Sequence, residues 1–273
     1  MAINNYQQYL DLLKENRVAD FQTSAVLGRA QRMSALWPSF LPAPSTPTTS
    51  TALDSTSDVA IGPIPSVGSG QLSILGGRLN TGGAAGVGLI LIDLLNHSGG
   101  MAGNITGSQT TNIPTAPLTR YTDGNGVMAG LIIHTQVGTV ACTVTATYTN
   151  QLGVTGNITT PTSIGATGFR EIRSLILLPL AAGDTGVRSV ESVNISGSTA
   201  TATGTIGNFG VCLFKPLSMI PLNDVMGAMP VDAVSTGGFI ASLTGMPSGS
   251  CITCAAIANT TQTLSGAIIL GEI

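Results

Sequence analysis

Charged side chains are scarce in this chain of 273 residues, in which Lys, Arg, Asp and Glu together make up 8%. This share is about a third of the usual one. The formal net charge is -3, so neither a strongly basic nor a strongly acidic partner is indicated. A free monomer with so few charges would be poorly soluble, so we expect partners or further copies to cover much of its surface. The alternative is a monomer made polar by Thr, Ser, Asn and Gln.

Clustered basic residues and long apolar runs are also missing. Residues 67–273 contain six Lys and Arg residues, and these form no run. Direct nucleic-acid binding is therefore not expected, because contact with phosphates needs clustered positive charge. The longest apolar stretch, residues 84–95, is too short for a transmembrane helix and contains Asp93. The first residues lack a basic flank followed by an apolar core, so a signal peptide is not predicted, and no membrane association is expected.

Cysteine and histidine are too sparse to predict a metal or redox centre. Cys142 and Cys212 lie in apolar, strand-like stretches, where cysteine behaves as a small buried hydrophobe. The motif CITC at 251–254 has no second cysteine pair and no nearby histidine. A structural zinc site needs four ligands, and a redox motif is expected next to a βα unit. We predict no metal and no cofactor, and synthesis in a reducing compartment such as bacterial cytoplasm.

Catalytic patterns are missing as well. His97 is expected in a turn at a strand end, and His134 in a strand with apolar neighbours, where a single histidine is usually structural. No serine lies in a G-x-S-x-G elbow, and the glycine-rich stretch 82–88 lacks the lysine of a phosphate-binding loop. Residues 67–273 contain no Trp, which argues against a glycan-binding module or a glycosidase. We therefore predict no catalytic residues and no enzymatic activity.

The N-terminal region has a helical pattern. Apolar residues fall on one face at helical spacing, and Asn4 with Gln7 forms a weak capping box. We predict one helix or two over residues 4–34, with Gly28 as the candidate break. Such a helix would pack either on its own body or on a neighbouring subunit.

Residues 38–66 are predicted to form an extended, proline-rich arm. Pro38, Pro42, Pro44 and Pro47 keep the backbone out of a helix. The arm contains too many apolar residues for a free linker, so we expect it to lie along a surface, that of another subunit. A disordered linker is the alternative. The partner-binding residues predicted for the helix and the arm are Tyr6, Leu10, Leu13, Phe21, Trp37, Phe40 and Leu41.

Residues 67–273 are typical of an all-β body. The stretch ACTVTATYTN alternates Cys142, Val144, Ala146 and Tyr148 with threonines, which predicts a half-buried strand. A hairpin is predicted at DGNG (123–126) and a further turn at NQLG (150–153). The predicted strands are 71–79, 86–95, 126–137, 139–149, 169–180, 187–196, 207–215, 236–243, 251–258 and 263–271.

The predicted fold class is all-β, with a body that is a jelly roll or a β-sandwich. Two stacked sandwiches are an alternative form of this body. Residues 1–66 form the predicted helix plus arm, and residues 67–273 the body. Residues 216–231 contain three prolines and are predicted to form an irregular connection that would mark a subdivision.

Three stretches resemble a group of virion structural proteins of tailed bacteriophages. They are YTNQLGVTGN (148–157), LPLAAGDTGVRSVESVNIS (178–196) and GNFGVCLFKPLSMIPL (207–222), and the final AIILGEI fits a closing strand. The resemblance covers about half of the body and does not include the arm. Asn157 departs from it, since a basic residue is expected after the turn glycine.

This resemblance implies a non-catalytic role in a virus particle. It favours a capsid cement or decoration protein, a homo-oligomer such as a homotrimer on the capsid exterior, bound to the major capsid protein through terminal arms. The alternatives are a tail, baseplate or fibre-associated subunit, or a jelly-roll shell protein. A shell protein of the common tailed-phage type would need a long spine helix, and none is predicted after residue 40.

Overall fold

The structure is a computed structural model, and the part of the chain that it describes is all-β. The described residues are 18–26, 33–35, 50–61, 72–81, 87–113, 118–138, 140–164, 172–196, 207–222, 231–232, 246–258 and 262–272. Their strands are β1 Val18–Val26, β2 Met33–Ala35, β3 Thr51–Ala52, β4 Leu72–Thr81, β5 Val87–Ala102, β6 Gly107–Thr110, β7 Met128–Thr135, β8 Cys142–Asn150, β9 Asn157–Ile158, β10 Thr162–Ile164, β11 Ser174–Leu178, β12 Val187–Ser196, β13 Asn208–Leu222, β14 Val231–Asp232, β15 Ile252–Ala258 and β16 Gln262–Glu272.

The strands form three sheets in which neighbours run antiparallel. The first has the order β1-β16-β4-β14. The second has the order β10-β8-β12-β6, with β9 also paired to β8. The third has the order β13-β7-β11-β2-β15-β5-β3.

Six strands of the third sheet close into a ring. Apart from the short β3, the two end strands of this sheet are β13 and β5. These two strands also pair with each other, and this pairing closes the ring. Closure leaves these six strands without a free edge between the first and the last. Alternate side chains on each strand then point to the inside and the outside of the ring.

The ring strands share one buried apolar cluster. Each of the six strands contributes to one buried cluster, which includes Met33, Ile92, Ile132, Leu175, Cys212, Phe214 and Ala255. Space is tight beside Gly130, where a Cβ atom would lie 2.9 Å from Cδ1 of Leu175 and 3.3 Å from Cε1 of Phe214. The side chains opposite this glycine therefore use the room that it leaves.

The second sheet packs on the outside of the ring. Leu131 of β7 and Val211 of β13 share a buried cluster with Val144 of β8 and Val193 of β12. Along β8 buried and half-buried residues alternate, as the sequence predicts. Two layers with an interleaved apolar interface are the arrangement of a β-sandwich. The predicted all-β sandwich class is thus confirmed.

The helix predicted over residues 4–34 is wrong where the structure describes this region, because Val18–Val26 and Met33–Ala35 are strands. The first pairs with β16, and the second lies between β11 and β15. Long-range ladders satisfy the backbone here, and such tertiary context overrides a weak local preference. Residues 1–17 lie outside the described part, so a helix there stays a prediction.

Two predictions on β5 and β13 also need correction. The irregular connection predicted over 216–231 does not begin at 216, since β13 continues to Leu222. Its register against β5 shifts between Pro216 and Ser218, and such irregularities are where strands accept a residue without an N–H group. His97 lies within β5 opposite Cys212, not in a turn.

Candidate interaction surface

The partner-binding residues predicted from the sequence fall mostly outside the described part of the chain. Phe21 is described as a backbone position of β1, paired with Gly266 of β16. The other six lie outside the described residues, and their role stays a prediction: Tyr6, Leu10, Leu13, Trp37, Phe40 and Leu41.

Part of the predicted arm, residues 50–61, lies on the chain's own body. The N–H of Leu53 donates to the carbonyl oxygen of Leu95 at 3.0 Å, and that of Ile61 donates to the carbonyl oxygen of Ile252 at 2.8 Å. The side chains of Leu53 and Ile61 are buried. This stretch is therefore integrated into the ring side of the molecule.

A buried ion pair holds this stretch. Nε and Nη2 of Arg120 donate to the two carboxylate oxygens of Asp93 at 3.0 and 2.7 Å, and Nη1 donates to the carbonyl oxygen of Leu53 at 2.9 Å. The N–H of Cys251 adds a hydrogen bond to Asp93 at 2.9 Å. Asp93 is fully buried, so its charge is tolerated only because these donors surround it. The sequence shows Asp93 as one acid in an apolar strand but gives no sign of its partner.

The turn from β8 to β9 exposes three apolar side chains. Leu152 is 76% exposed, Val154 53% and Ile158 60%. We call residues 151–158 the apolar tip; none of them carries a charge. Single exposed apolar residues are ordinary on protein surfaces, whereas a cluster of them indicates an interaction site.

Hydrogen bonds fix the shape of the apolar tip. Oδ1 of Asn150 accepts from the N–H groups of Leu152 and Val154, both at 3.0 Å. The carbonyl oxygen of Val154 accepts from the N–H of Asn150 at 3.0 Å and from Nδ2 of Asn157 at 2.6 Å. The turn predicted at NQLG is confirmed. Its asparagine side chains point inward and hydrogen-bond to the backbone of the turn. The apolar side chains are left facing solvent.

The base of the tip is attached to β12. Nη2 of Arg188 donates to the carbonyl oxygen of Gln151 at 2.6 Å. Oε1 of Gln151 in turn accepts from the N–H groups of Thr185 and Gly186 at 3.1 and 3.2 Å. The partners in these hydrogen bonds are more than thirty positions apart in the sequence. The tip is therefore held in place as a projection of the second sheet.

A polar cluster around Asp184 supports the same turn. Tyr148 donates its phenolic proton to Oδ2 of Asp184 at 2.5 Å, and Nδ2 of Asn150 donates to Oδ1 at 2.8 Å. The N–H of Ala181 donates to the Tyr148 oxygen at 2.9 Å. Burial, and then the bond to Asp184, raise the pKa of Tyr148 to about 12. The phenol therefore stays protonated and keeps donating at physiological pH.

An apolar cavity of about 390 Å³ opens at the end of the ring where β7 begins. We call it the ring mouth. Its lining comes from five ring strands and consists of Met33, Ile90, Met128, Leu177, Phe214, Pro216 and Leu217. None of these side chains is charged. The residues come from distant parts of the sequence, so no local pattern signals the cavity.

A series of contacts connects the base of the apolar tip to β13, the strand that contributes Phe214, Pro216 and Leu217 to the ring mouth. Asn125 pairs with Gly186 at the base of the tip and accepts a hydrogen bond at its carbonyl oxygen from Nζ of Lys215 at 2.7 Å. Lys215 directly precedes Pro216 and Leu217, two residues of the mouth. The tip and the mouth are thus connected through Asn125 and Lys215.

A pair of buried histidines occupies another part of the ring. The Nε2 atoms of His97 and His134 are 3.0 Å apart, with ring planes at 78°. At this distance one Nε2 carries the proton and the other accepts it. Burial, and then the neighbouring His134, lower the pKa of His97 to about 3. His97 is therefore neutral at physiological pH.

The four cysteines are free and buried. Burial raises the pKa of Cys142 to about 11 and that of Cys212 and Cys251 to about 12, and it raises the pKa of Cys254 as well. These thiols are therefore protonated and weakly nucleophilic at neutral pH.

Within the described residues, no group of three or more His, Cys, Asp or Glu side chains is placed to hold a metal ion. The same part of the chain contains no helix of the length and apolarity that crossing a membrane requires.

Comparisons with known proteins give no family. No protein-family model matches the chain, and no curated protein matches it. Among solved structures, a particle of infectious bursal disease virus matches with 8% identity over 94% of this chain and 76% of the other, at a TM-score of 0.22. A structure of the Gt strain of that virus matches with 10% identity over 94% and 80%, also at 0.22. A VP2 subviral particle of infectious bursal disease virus matches with 10% identity over 94% of this chain and 80% of the other, at a TM-score of 0.19. Likeness this weak assigns neither a family nor a function.

Proposed function

We propose that this chain is a structural subunit of a virus particle that works by binding other protein subunits, without catalysis. The observation that carries the proposal is the rigid apolar tip, which projects from a chain with only 8% charged residues. An exposed apolar cluster on a fixed turn loses little conformational freedom when a partner covers it. A surface this poor in charge is kept in solution best when further subunits cover it.

In its finer form, the proposal is a cement or decoration subunit on the exterior of a phage capsid. Its partners would be the major capsid protein and copies of itself, with a homotrimer as the expected form, and the host bacterial cytoplasm would be the place of synthesis. The support comes from the three stretches that resemble phage virion proteins. They form the end of β8 with the apolar tip, β12 with Asp184, and β13 of the ring.

Binding to empty phage heads tests the proposal directly. The purified chain would be mixed with heads, and the bound copies located by electron cryomicroscopy. Density on the outside of the shell, at fixed lattice positions, would support the cement role. Density within the shell lattice would indicate a shell protein, and density only on tails a tail or baseplate subunit. No binding to any part of the particle would overturn the proposal.

A matched pair of variants connects the test to the tip. Leu152→Asp places a charge on the most exposed apolar side chain of the tip. Ile172→Asp does the same at an apolar side chain that is 50% exposed and lies outside the tip. We expect the first to weaken binding to particles and the second to leave it unchanged. Equal effects of the two would show that the tip has no special role.

A further inference from the structure

We propose that the apolar tip of one copy of this chain inserts into the ring mouth of a second copy, with Leu152 as the leading side chain. The inference rests on the proposed assembly role and deepens it, because it names the partner of the tip. The occupant of the ring mouth is thus a second copy of this chain.

The two features fit each other in size. Leu152 projects from the turn with 76% of its surface exposed, so it does not fill the mouth of its own copy. A cavity of about 150 Å³ is enough to hold benzene, so the mouth, at about 390 Å³, has room for Leu152 and part of Val154. The tip is already held in one shape by Asn150, so insertion orders little additional chain.

The two features also fit in polarity. Neither the tip residues nor the lining of the mouth carries a charge, so the side chains that would meet are uncharged on both surfaces. The N–H groups of Leu152 and Val154 already donate to Asn150, and the Val154 carbonyl already accepts two hydrogen bonds. Covering the turn therefore leaves these backbone groups paired, and the burial of apolar surface remains as the driving force.

The presence of both features on one chain makes the contact repeatable. Asn125 and Lys215 connect the base of the tip to the strand that lines the mouth. Two copies that face each other across a twofold axis can each place a tip in the other's mouth. A ring of three copies can pass each tip to the next mouth. Both arrangements use the same pair of surfaces.

A single insertion is expected to be weak. Stable interfaces bury roughly 800 Å² on each partner, which is more than one short turn supplies. Several insertions within one closed assembly act together, because each later one is effectively intramolecular. The contact is therefore suited to an oligomer or a shell rather than to an isolated pair.

Self-association of the purified full chain tests this inference without any phage particle. Sedimentation velocity over a concentration series would compare the unchanged chain with Leu152→Asp, Leu217→Gln and the control Ile172→Asp. We expect the tip and mouth variants each to weaken association roughly tenfold or more, and the control to match the unchanged chain. Circular dichroism and thermal melting would show that each variant is folded.

Cross-linking identifies the two surfaces independently of stability. Leu152→Cys and Leu217→Cys variants would be mixed and treated with a short bifunctional maleimide, to which the buried native cysteines are poorly accessible. We expect a cross-linked species that contains one chain of each variant. Cross-links that form equally well within either variant alone would overturn the assignment.

Several outcomes would overturn the inference. One is a chain that stays monomeric at all concentrations, and another is association that ignores both the tip and the mouth variants. A third is a mouth that binds a fluorescent fatty acid while association is unchanged by Leu217→Gln, since its occupant would then be a small apolar ligand. Self-association through tip and mouth without binding to heads would retain the inference and reject the capsid role. Binding to heads by a strictly monomeric chain would do the reverse.

Discussion

Arg120 and Asp93 are buried side by side, and each makes the charge of the other tolerable inside the protein. Replacing Arg120 by Met would leave the carboxylate of Asp93 buried without its cation, and the carbonyl of Leu53 without its donor. Removing one member of a buried pair typically lowers stability by about 3–5 kcal/mol. We expect a loss of this size in the free energy of unfolding, measured by urea denaturation at pH 7.

Two variants control for the loss of arginine as such. Arg188→Met removes hydrogen bonds from a half-buried guanidinium to backbone oxygens but leaves no buried charge unpaired, so it should lower stability by only about 1.5–3 kcal/mol. The double variant Asp93→Asn with Arg120→Met removes the unpaired charge and should recover part of the loss. If Arg120→Met were as mild as Arg188→Met, the ion pair would not hold residues 50–61 in place.

The buried histidine pair predicts how stability depends on pH. The pKa of His97 is about 3 in the folded chain, against an ordinary value of 6.5 in the unfolded chain. Between these values the unfolded state binds the additional proton, so the free energy of unfolding falls as the pH drops below about 6.5. The contribution is complete above this pH, and its slope below it is up to about 1.4 kcal/mol per pH unit. Urea denaturation at several pH values from 7.5 to 5 would measure it.

The variant His97→Gln separates this effect from the titration of carboxyl groups. It removes the group whose pKa differs between the two states, so its stability should vary less with pH over the same range. Its absolute stability is not the readout, because Gly210 packs closely against both imidazole rings. An unchanged slope in the variant would show that His97 is not the group responsible.

At the scale of elements, the start of β13 depends on a glycine. Gly207 has a φ of +65°, and a Cβ atom there would lie 2.3 Å from the Cα atom of Val137. Gly183 has a φ of +93° with nothing within 4 Å of such an atom, so it shares the backbone strain without the clash. We expect Gly207→Ala to destabilise the chain by roughly 1–3 kcal/mol more than Gly183→Ala, measured by thermal melting. Equal losses would mean that the strand can move away from Val137.

The longer strands after residue 67 were largely predictable from the sequence because their signals are local, whereas β1 and β2 and the short strands β3, β6, β10 and β14 were not predicted. The prediction of 187–196 coincides with β12, and that of 251–258 begins one residue before β15. Alternation along β8 and the turn at 150–153 follow from side-chain period and turn chemistry, which need no knowledge of partners. The predicted strand at 236–243 lies outside the described residues.

Strand partners and the interaction surface were not predictable in this way. A three-residue strand such as Met33–Ala35 is stable only between two neighbours that come from distant parts of the chain. The helical spacing of apolar residues around this strand is a local preference, and the long-range strand pairing overrides it. Leu152 and Val154 stand in the sequence like other apolar residues, and only the packing around Asn150 turns them outward.

At the scale of the whole molecule, the first third of the chain is interwoven with the last. β1 pairs with β16, and β2 completes the ring beside β15. The N–H of Ile61 donates a hydrogen bond to the carbonyl oxygen of Ile252. An arm that was separable from the body would leave those sheets unaffected when removed. Residues 18–26, 33–35 and 50–61 instead supply strands and hydrogen-bonding backbone groups to the body.

Two truncations test this division of the chain. Deletion of residues 1–17 keeps β1, β2 and the Leu53 carbonyl that accepts from Arg120, so we expect a cooperative thermal transition close to that of the full chain. Deletion of residues 1–66 removes a strand from the ring, opens β11 and β15 to solvent and takes an acceptor from a buried guanidinium. We expect this variant to lose the cooperative transition, because unpaired strands and unpaired buried donors each destabilise the fold.

The shorter truncation also tests the binding residues predicted at the start of the chain. Tyr6, Leu10 and Leu13 are removed while the described body is kept, so a loss of binding to phage heads would assign them to the interface. Retained binding would show that Tyr6, Leu10 and Leu13 are not needed for contact with the particle. A cooperative transition at an unchanged temperature after deletion of residues 1–66 would mean that these residues form a separate arm. The ring would then have to close without β2, by direct pairing of β11 with β15.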